Sequence, residues 1–385
     1  MRDFKGTKVL VLDGASRQIL GILRGLRDVG CEITTVNGSK LNNGYSSRYP
    51  DYKLLIRKEQ QENQFPYILE ELKRKKYDVM LPISDPSMNM VTQHYEELSQ
   101  YVRIPFVTRD TFLKAYDKQI TMEICMDNNI PCPITKRRDQ SIDEFIDAVG
   151  FPIVAKPRMA CGSMGLKIVK SREQLDALTD SGEVVPNEYV FQEFIPQTGE
   201  QYNIHSFADG TGNLPSHLVT EKNRWYPIDG GASCMCRTAV NEQAYNDSKK
   251  LLQMVGWRSC CEIEMIKDPR DGISKVMEIN GRASASIKIM YLAGINVALQ
   301  MLQLAYGEPV KTYPPTDKEV RMRCLLTDVL WLLQSPDRFK RKPCWFSPVR
   351  THDVIFSIKD PIPFFTFIIE SVPNYKKSMA KRRRD

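Results

Sequence analysis

The chain has 385 residues, 42% hydrophobic and 26% charged, so it is long enough to bury more than one core and too apolar to be a disordered protein. No run approaches the roughly 20 apolar residues of a membrane-spanning helix, so no transmembrane segment is expected. The net charge of +7 is gathered from Lys311 onward, where 16 Lys and Arg stand against 8 Asp and Glu. The near-neutral remainder gives no reason to expect nucleic-acid binding.

Ten Cys without a regular framework point to packing residues in a reducing cytoplasm rather than to disulfides or a zinc site. The opening MRDFKGTKVLVLDG reads as a first strand over 8–12, not a secretory leader. A helix with apolar spacing follows over 16–29, then a strand over 33–37, a polar loop carrying Asn42 to Tyr45, a helix over 66–76 and a strand over 77–84. That alternation predicts an α/β fold opening on a small parallel sheet. The first βα turn reads DGAS, which lacks the dinucleotide GxGxxG order. Asp13, Gly14, Ser84 and Asp85 lie at strand ends where such sheets place ligands, although Asp85 could equally cap the next helix.

A helix is expected over 111–129, with Lys118 inside it, and another over 139–149. The strand IVAK then ends on Lys156 beside a loop with Gly162, Ser163 and Gly165. Backbone N–H groups there could cradle a phosphate with Lys156 supplying charge, or the loop could be an ordinary glycine hairpin. YVFQEFI and YNIHSFA read as further strands, GGAS (230–233) as a second glycine loop, and 241–255 as an amphipathic helix.

CCEIEMI and KVMEIN are two strands joined by the turn DPRDG, whose residues suit a hairpin. Glu278 and Asn280, two apart, emerge on one face, and a hairpin places Glu264 across from Glu278. Two carboxylates, an amide oxygen and the nearby Arg282 guanidinium suit a magnesium-bound polyphosphate. Alone, the same pattern could be a solvated edge hairpin. A helix is expected over 286–306 and a hydrophobic helix over 324–334, before the chain ends in KKSMAKRRRD.

Taken in order, Asp117-Lys118, the Lys-ended strand with its glycine loop, QEFI, the facing acids and EIN resemble the ATP-grasp superfamily from Thr111 to about Gly307. The resemblance is to its carboxylate–amine ligases, of the carbamoyl-phosphate-synthase-like and D-alanine–D-alanine-ligase-like kind. The resemblance implies three parts: a pre-ATP-grasp domain over 1–110, an ATP-grasp domain over 111–310 and a C-terminal extension over 311–385. Within the second part, a lid is implied over about 120–195 and a metal-binding portion over 196–310. The tail resembles extensions of ATP-grasp proteins associated with bacterial surface-polysaccharide synthesis.

The resemblance further implies residue roles. Lys118 and Lys156 would hold ATP phosphates under a mobile loop of Gly162, Ser163 and Gly165. Gln192, Glu193, Phe194 and Ile195 would form the adenine hinge, with backbone contacts from Glu193 and Ile195. Glu264, Glu278 and Asn280 would bind two magnesium ions, with manganese able to replace them, and Arg282 would bind phosphate. The ribose contact falls on Glu200 or Gln201, and Gly281 stands where the family usually has Pro.

The implied reaction forms an acyl phosphate from a carboxylate and ATP and joins it to an amine, with Arg282 and Lys156 as the catalytic cations. The alternatives are a bicarbonate-using carboxylase or carbamoyl-type enzyme and a non-catalytic ATP-binding protein. Both substrates would be small molecules, the acceptor held by Lys222, Arg224, Ser233 and Arg237. A homodimer is compatible with the pattern. The basic end reads as a solubilising run, with weak contact to a membrane surface as the other reading.

Overall fold

The computed structural model describes residues 2–160, 164–228, 231–316, 318–347 and 350–380. It contains three sheets. The first is wholly parallel, ordered Tyr52–Leu55, Glu32–Asn37, Lys8–Val11, Val79–Leu81. Its central strand is buried along Val9 to Val11 and shares one core with helix Ile19–Asp28, whose Ile19, Leu20, Ile22, Leu23 and Leu26 are all buried.

A small antiparallel sheet, Lys167–Val169, Ile153–Pro157 and Tyr189–Glu193, has its own core of Phe145, Ile153, Ala155, Val169, Leu175 and Phe191. The third sheet has seven strands in the order Ser274–Asn280, Arg258–Lys267, Gln201–Asp209, Ser216–Tyr226, Ala232–Thr238, Arg321–Arg323, Thr351–Asp353. Its apolar side and that of the parallel sheet share one continuous core.

Several expectations change. The helix expected over 111–129 is two helices, Arg109–Tyr116 and Lys118–Asp127. Asp117 breaks it: its Oδ1 caps Gln119 N at 3.0 Å, and Arg158 clamps the carboxylate at 3.1 and 2.5 Å. The expected 286–306 helix is likewise Lys288–Leu292 and Val297–Ala305, separated at Gly294, whose φ of 96° is costly for any other residue. Asn43–Ser46 is a short helical turn rather than a loop, and Tyr52–Leu55 and helix Arg172–Asp180 had no clear sequence signal.

The tail is stitched into the large sheet. Arg321–Arg323 pairs antiparallel with Ala232–Thr238, and Thr351–Asp353 pairs parallel with Arg321–Arg323. Helix Leu325–Gln334 brings Asp328 to Arg224 at 2.6 and 2.9 Å, an ion pair with both partners almost wholly buried. Among the described residues no cysteine is disulfide-bonded, and no helix is long and apolar enough to cross a membrane.

Candidate active site

The hairpin strands Arg258–Lys267 and Ser274–Asn280 pair Glu262 with Asn280 and Glu264 with Glu278. The register then slips, so that Met265 faces Val276 and Met277 is the extra residue of a β-bulge. The bulge has two effects on the site. It turns Met277 and Glu278 towards one cavity, and it leaves the Met277 carbonyl to accept a hydrogen bond from Lys156 Nζ at 3.0 Å. Lys156, at the end of the small sheet, is thereby anchored to the large one.

A cavity of about 140 Å³ lies between the two sheets. Its lining combines apolar side chains, Val154, Ile168, Ile195 and Met265, with the charged Lys118, Lys156, Lys222, Glu264 and Glu278. Lys118 Nζ lies 3.5 Å from Glu278 Oε2 and donates to the Ala160 carbonyl. Lys222 Nζ donates to Glu264 Oε2 at 2.5 Å. Burial lowers the Lys156 ammonium to about 8, only partly offset by Glu278. Burial alone would raise the Glu264 carboxyl, but Lys222, Arg282 and Asn280 together hold it below the usual range. Lys222 is correspondingly raised, since Glu264 outweighs its desolvation.

A second cavity, about 240 Å³, adjoins the first and shares Lys222, Gly231, Glu264 and Glu278 with it. Asn280, Arg282, Ser233 and Ser286 line it, as do Arg17 from the parallel-sheet layer and Arg323 from the tail strand. Arg282 is positioned by Asp85 Oδ2 at 2.8 Å and Asn280 Oδ1 at 2.9 Å. Asn203, directly across the ladder from Glu264, also lines this cavity, and its buried Oδ1 has no hydrogen-bond partner among the described residues.

These residues fit a nucleotide with magnesium. A slot lined by apolar side chains and three lysines matches a base joined to a polyphosphate. Among the described residues no three His, Cys, Asp or Glu cluster for a metal. Two carboxylates with amide oxygens suit magnesium, which completes its shell with water and substrate phosphates. The orphan Asn203 oxygen adds a donor to that set.

The expected hinge lies on the cavity wall: Gln192, Glu193, Phe194 and Ile195 all line it. The Glu193 N–H, however, donates to Ile134 O at 2.9 Å, and its carboxylate is held by Arg270 and Lys275. That amide is therefore not free to contact a base. Of the ribose candidates, Gln201 lines the cavity; Glu200 instead pairs with Lys267 at 3.3 Å. Gly165 is described, while Gly162, Ser163 and Gly230 lie outside the described residues.

Among the expected acceptor residues, Lys222 and Ser233 reach the second cavity and two arginines do not. Arg224 is spent on Asp328 and the Pro343 carbonyl, and Arg237 pairs with Glu221 at 2.8 Å. Asp13 is structural: it accepts from the Ile83 and Ser84 amides and Ser87 Oγ, tying the first turn to the helix that Ser84 begins. Asp85 acts through Arg282 rather than in the cavity itself. Sequence reasoning missed Arg17, Asn203 and Arg323; only their placement in three dimensions marks them.

The family model described as ATP-grasp domain matches residues 115–286 of this chain. The chain is 25% identical over 250 residues to a D-aspartate ligase of Enterococcus faecium, covering 59% of this chain and 58% of that relative. It thus spans little more than half of that relative's length. Its fold is similar to N5-carboxyaminoimidazole synthetase from Staphylococcus aureus, with TM-score 0.67, 14% identity and 84% of each chain covered. It is equally similar to the biotin carboxylase domain of Hydrogenobacter thermophilus 2-oxoglutarate carboxylase, solved with MgADP and bicarbonate. There the TM-score is 0.67 at 12% identity, covering 82% of this chain and 74% of that one.

Proposed function

We propose that this protein is an ATP-dependent carboxylate–amine ligase that forms an acyl phosphate and then an amide or peptide bond, releasing ADP and phosphate. The observation that carries this reading is the shared wall of two cavities. Glu264, Glu278 and Lys222 face both the lysine-lined slot and the arginine-bearing cavity. A γ-phosphoryl group bound at that wall is within reach of an acceptor on the other side. The likeness to a D-aspartate ligase supports the same chemistry.

In this reading the small sheet is a lid over the nucleotide. Lys118 and Lys156 bind the phosphates, and the hinge strand 192–195 borders the base. Glu264, Glu278 and the amide oxygens of Asn280 and Asn203 would hold magnesium, which neutralises phosphate charge when bound. Lys118 and Lys222 shift from their carboxylates to phosphate oxygens. Arg282, held by Asp85, stabilises charge on the transferred group. Arg17 and Arg323 hold the acceptor carboxylate. Closure of the small sheet keeps water from the acyl phosphate.

The fold likeness to a biotin carboxylase domain and a carboxyaminoimidazole synthetase favours a second reading, in which bicarbonate is the acid. A coupled ADP assay across carboxylate and amine pairs separates the two, with Glu278→Gln as control. ADP release that needs both a carboxylate and an amine supports ligation. Release driven by bicarbonate alone replaces it with the carboxylase reading.

A further inference from the structure

The helix Ile362–Ala380 has two faces. Phe364 and Phe367 pack against the main core, Thr366 Oγ1 bonds Ser46 Oγ at 2.9 Å, and Glu370 accepts from Asn42 Nδ2 at 2.9 Å. That side fixes the helix to the parallel-sheet layer. The opposite side is apolar and bare: Ile362, Phe365 and Ile369 are 56%, 58% and 59% exposed, and Ile358 just before the helix is 88% exposed. Spacings of three and four put Ile362, Phe365 and Ile369 on one stripe.

The sequence that continues from this stripe is basic. From 371 to 385 it has six Lys and Arg, Lys376, Lys377, Lys381 and Arg382 to Arg384, against one acid, Asp385. The helix before this run carries one acid, Glu370, whose carboxylate is turned to the anchored side, where Asn42 and Ser39 donate to it. We propose that this helix and the run after it form a docking surface for an anionic lipid leaflet, the stripe entering the interface and the basic run meeting the headgroups. The helix lies in the surface plane and does not cross it: among the described residues no membrane-spanning helix exists.

Charge selects this occupant. A second copy of the chain would bring two runs of net charge +5 together, which like-charge repulsion opposes. An anionic leaflet offers hydrocarbon beneath a layer of negative charge, the complement of both features. The apolar side chains of Phe365 and Ile369 need burial only a few ångström deep to leave water.

The test is co-sedimentation of the full chain with phosphatidylcholine vesicles, with and without about one-third phosphatidylglycerol, at low and high salt. Binding is expected only to the anionic vesicles and is expected to weaken at high salt. Two variants are compared, Phe365→Ser with Ile369→Ser, and Lys381, Arg382, Arg383 and Arg384 each to Gln. Each set is expected to lose about tenfold or more in vesicle affinity, with thermal unfolding unchanged in the second, whose residues follow Ala380 in the sequence. Failure to bind anionic vesicles overturns the proposal. So does binding that both variant sets leave intact, or a dimer in solution that Phe365→Ser abolishes without vesicle binding.

Discussion

Glu264 stands directly across the antiparallel ladder from Glu278, and each carboxylate is held by a lysine that reaches it from elsewhere in the fold, Lys222 at 2.5 Å and Lys118 at 3.5 Å. The pairing stores charge in a balanced state. A polyanion with its own cation can exchange partners with it, taking the ammonium groups and leaving the carboxylates to the metal, without stranding a buried charge. Glu278→Gln breaks that exchange on one side. ADP release is expected to fall by about 100-fold or more with the fold intact, read by the coupled assay alongside thermal unfolding.

Lys156 supplies a pH signature. Its ammonium is lowered by burial to about 8 in the unliganded protein, against 10.5 when free. Bound triphosphate restores the proton, so nucleotide binding takes up protons as pH rises above 8, and affinity falls through the window from about 8 to 10.5. Calorimetry in buffers of different ionisation enthalpy measures the uptake, and Lys156→Met should remove it. Without nucleotide the sign for folding is opposite. The unfolded chain binds more protons in that window, so this group makes stability rise with pH there.

Arg224 and Arg237 were both attractive as acceptor-binding residues and should now separate cleanly. Arg224→Ala removes the two-pronged partner of buried Asp328, leaving Arg323 at 4.0 Å to offset its charge, and is expected to cost about 3 kcal/mol of stability, read by denaturant unfolding. Arg237→Ala removes a partly exposed pair with Glu221 and is expected to cost about 1 kcal/mol or less, with acceptor KM unchanged.

Arg17→Ala and Arg323→Ala should do the reverse. Both side chains line the second cavity, so acceptor KM is expected to rise about tenfold or more while KM for ATP stays put. Steady-state kinetics with each substrate varied in turn gives the split.

Gly281 is explained by packing. A Cβ there would stand 2.5 Å from Cη2 of Trp257, whose ring is itself buried and cannot yield. Gly281→Ala is expected to destabilise by about 1–3 kcal/mol through overpacking, measured as a drop in denaturant midpoint. A Pro at this position, usual in the resembling family, would meet the same ring.

The strands and the facing acids were legible in the sequence because period-two alternation and a DPRDG turn are local signals. The bulge at Met277 was not, since an extra residue leaves no trace in the alternation over so short a strand. Nor was the helix break at Asp117, because apolar spacing continues through it and the clamp comes from Arg158, 41 residues away. Arg224 looked like a binding residue because its partner, Asp328, lies 104 residues downstream. Arg17 and Arg323 enter the second cavity from opposite ends of the chain, a juxtaposition that only the completed sheet produces.

The pairing of Arg321–Arg323 with Ala232–Thr238 carries a practical corollary. A protein shortened at Gly307 would keep every residue of the matched 115–286 stretch, yet expose Ala232–Thr238 as a bare edge with unpaired amides and carbonyls, a template for self-association. Arg224 would lose its buried counterion Asp328 in the same cut. The 115–286 stretch of this molecule is therefore not an autonomous cassette, and work on it needs the downstream strands in place.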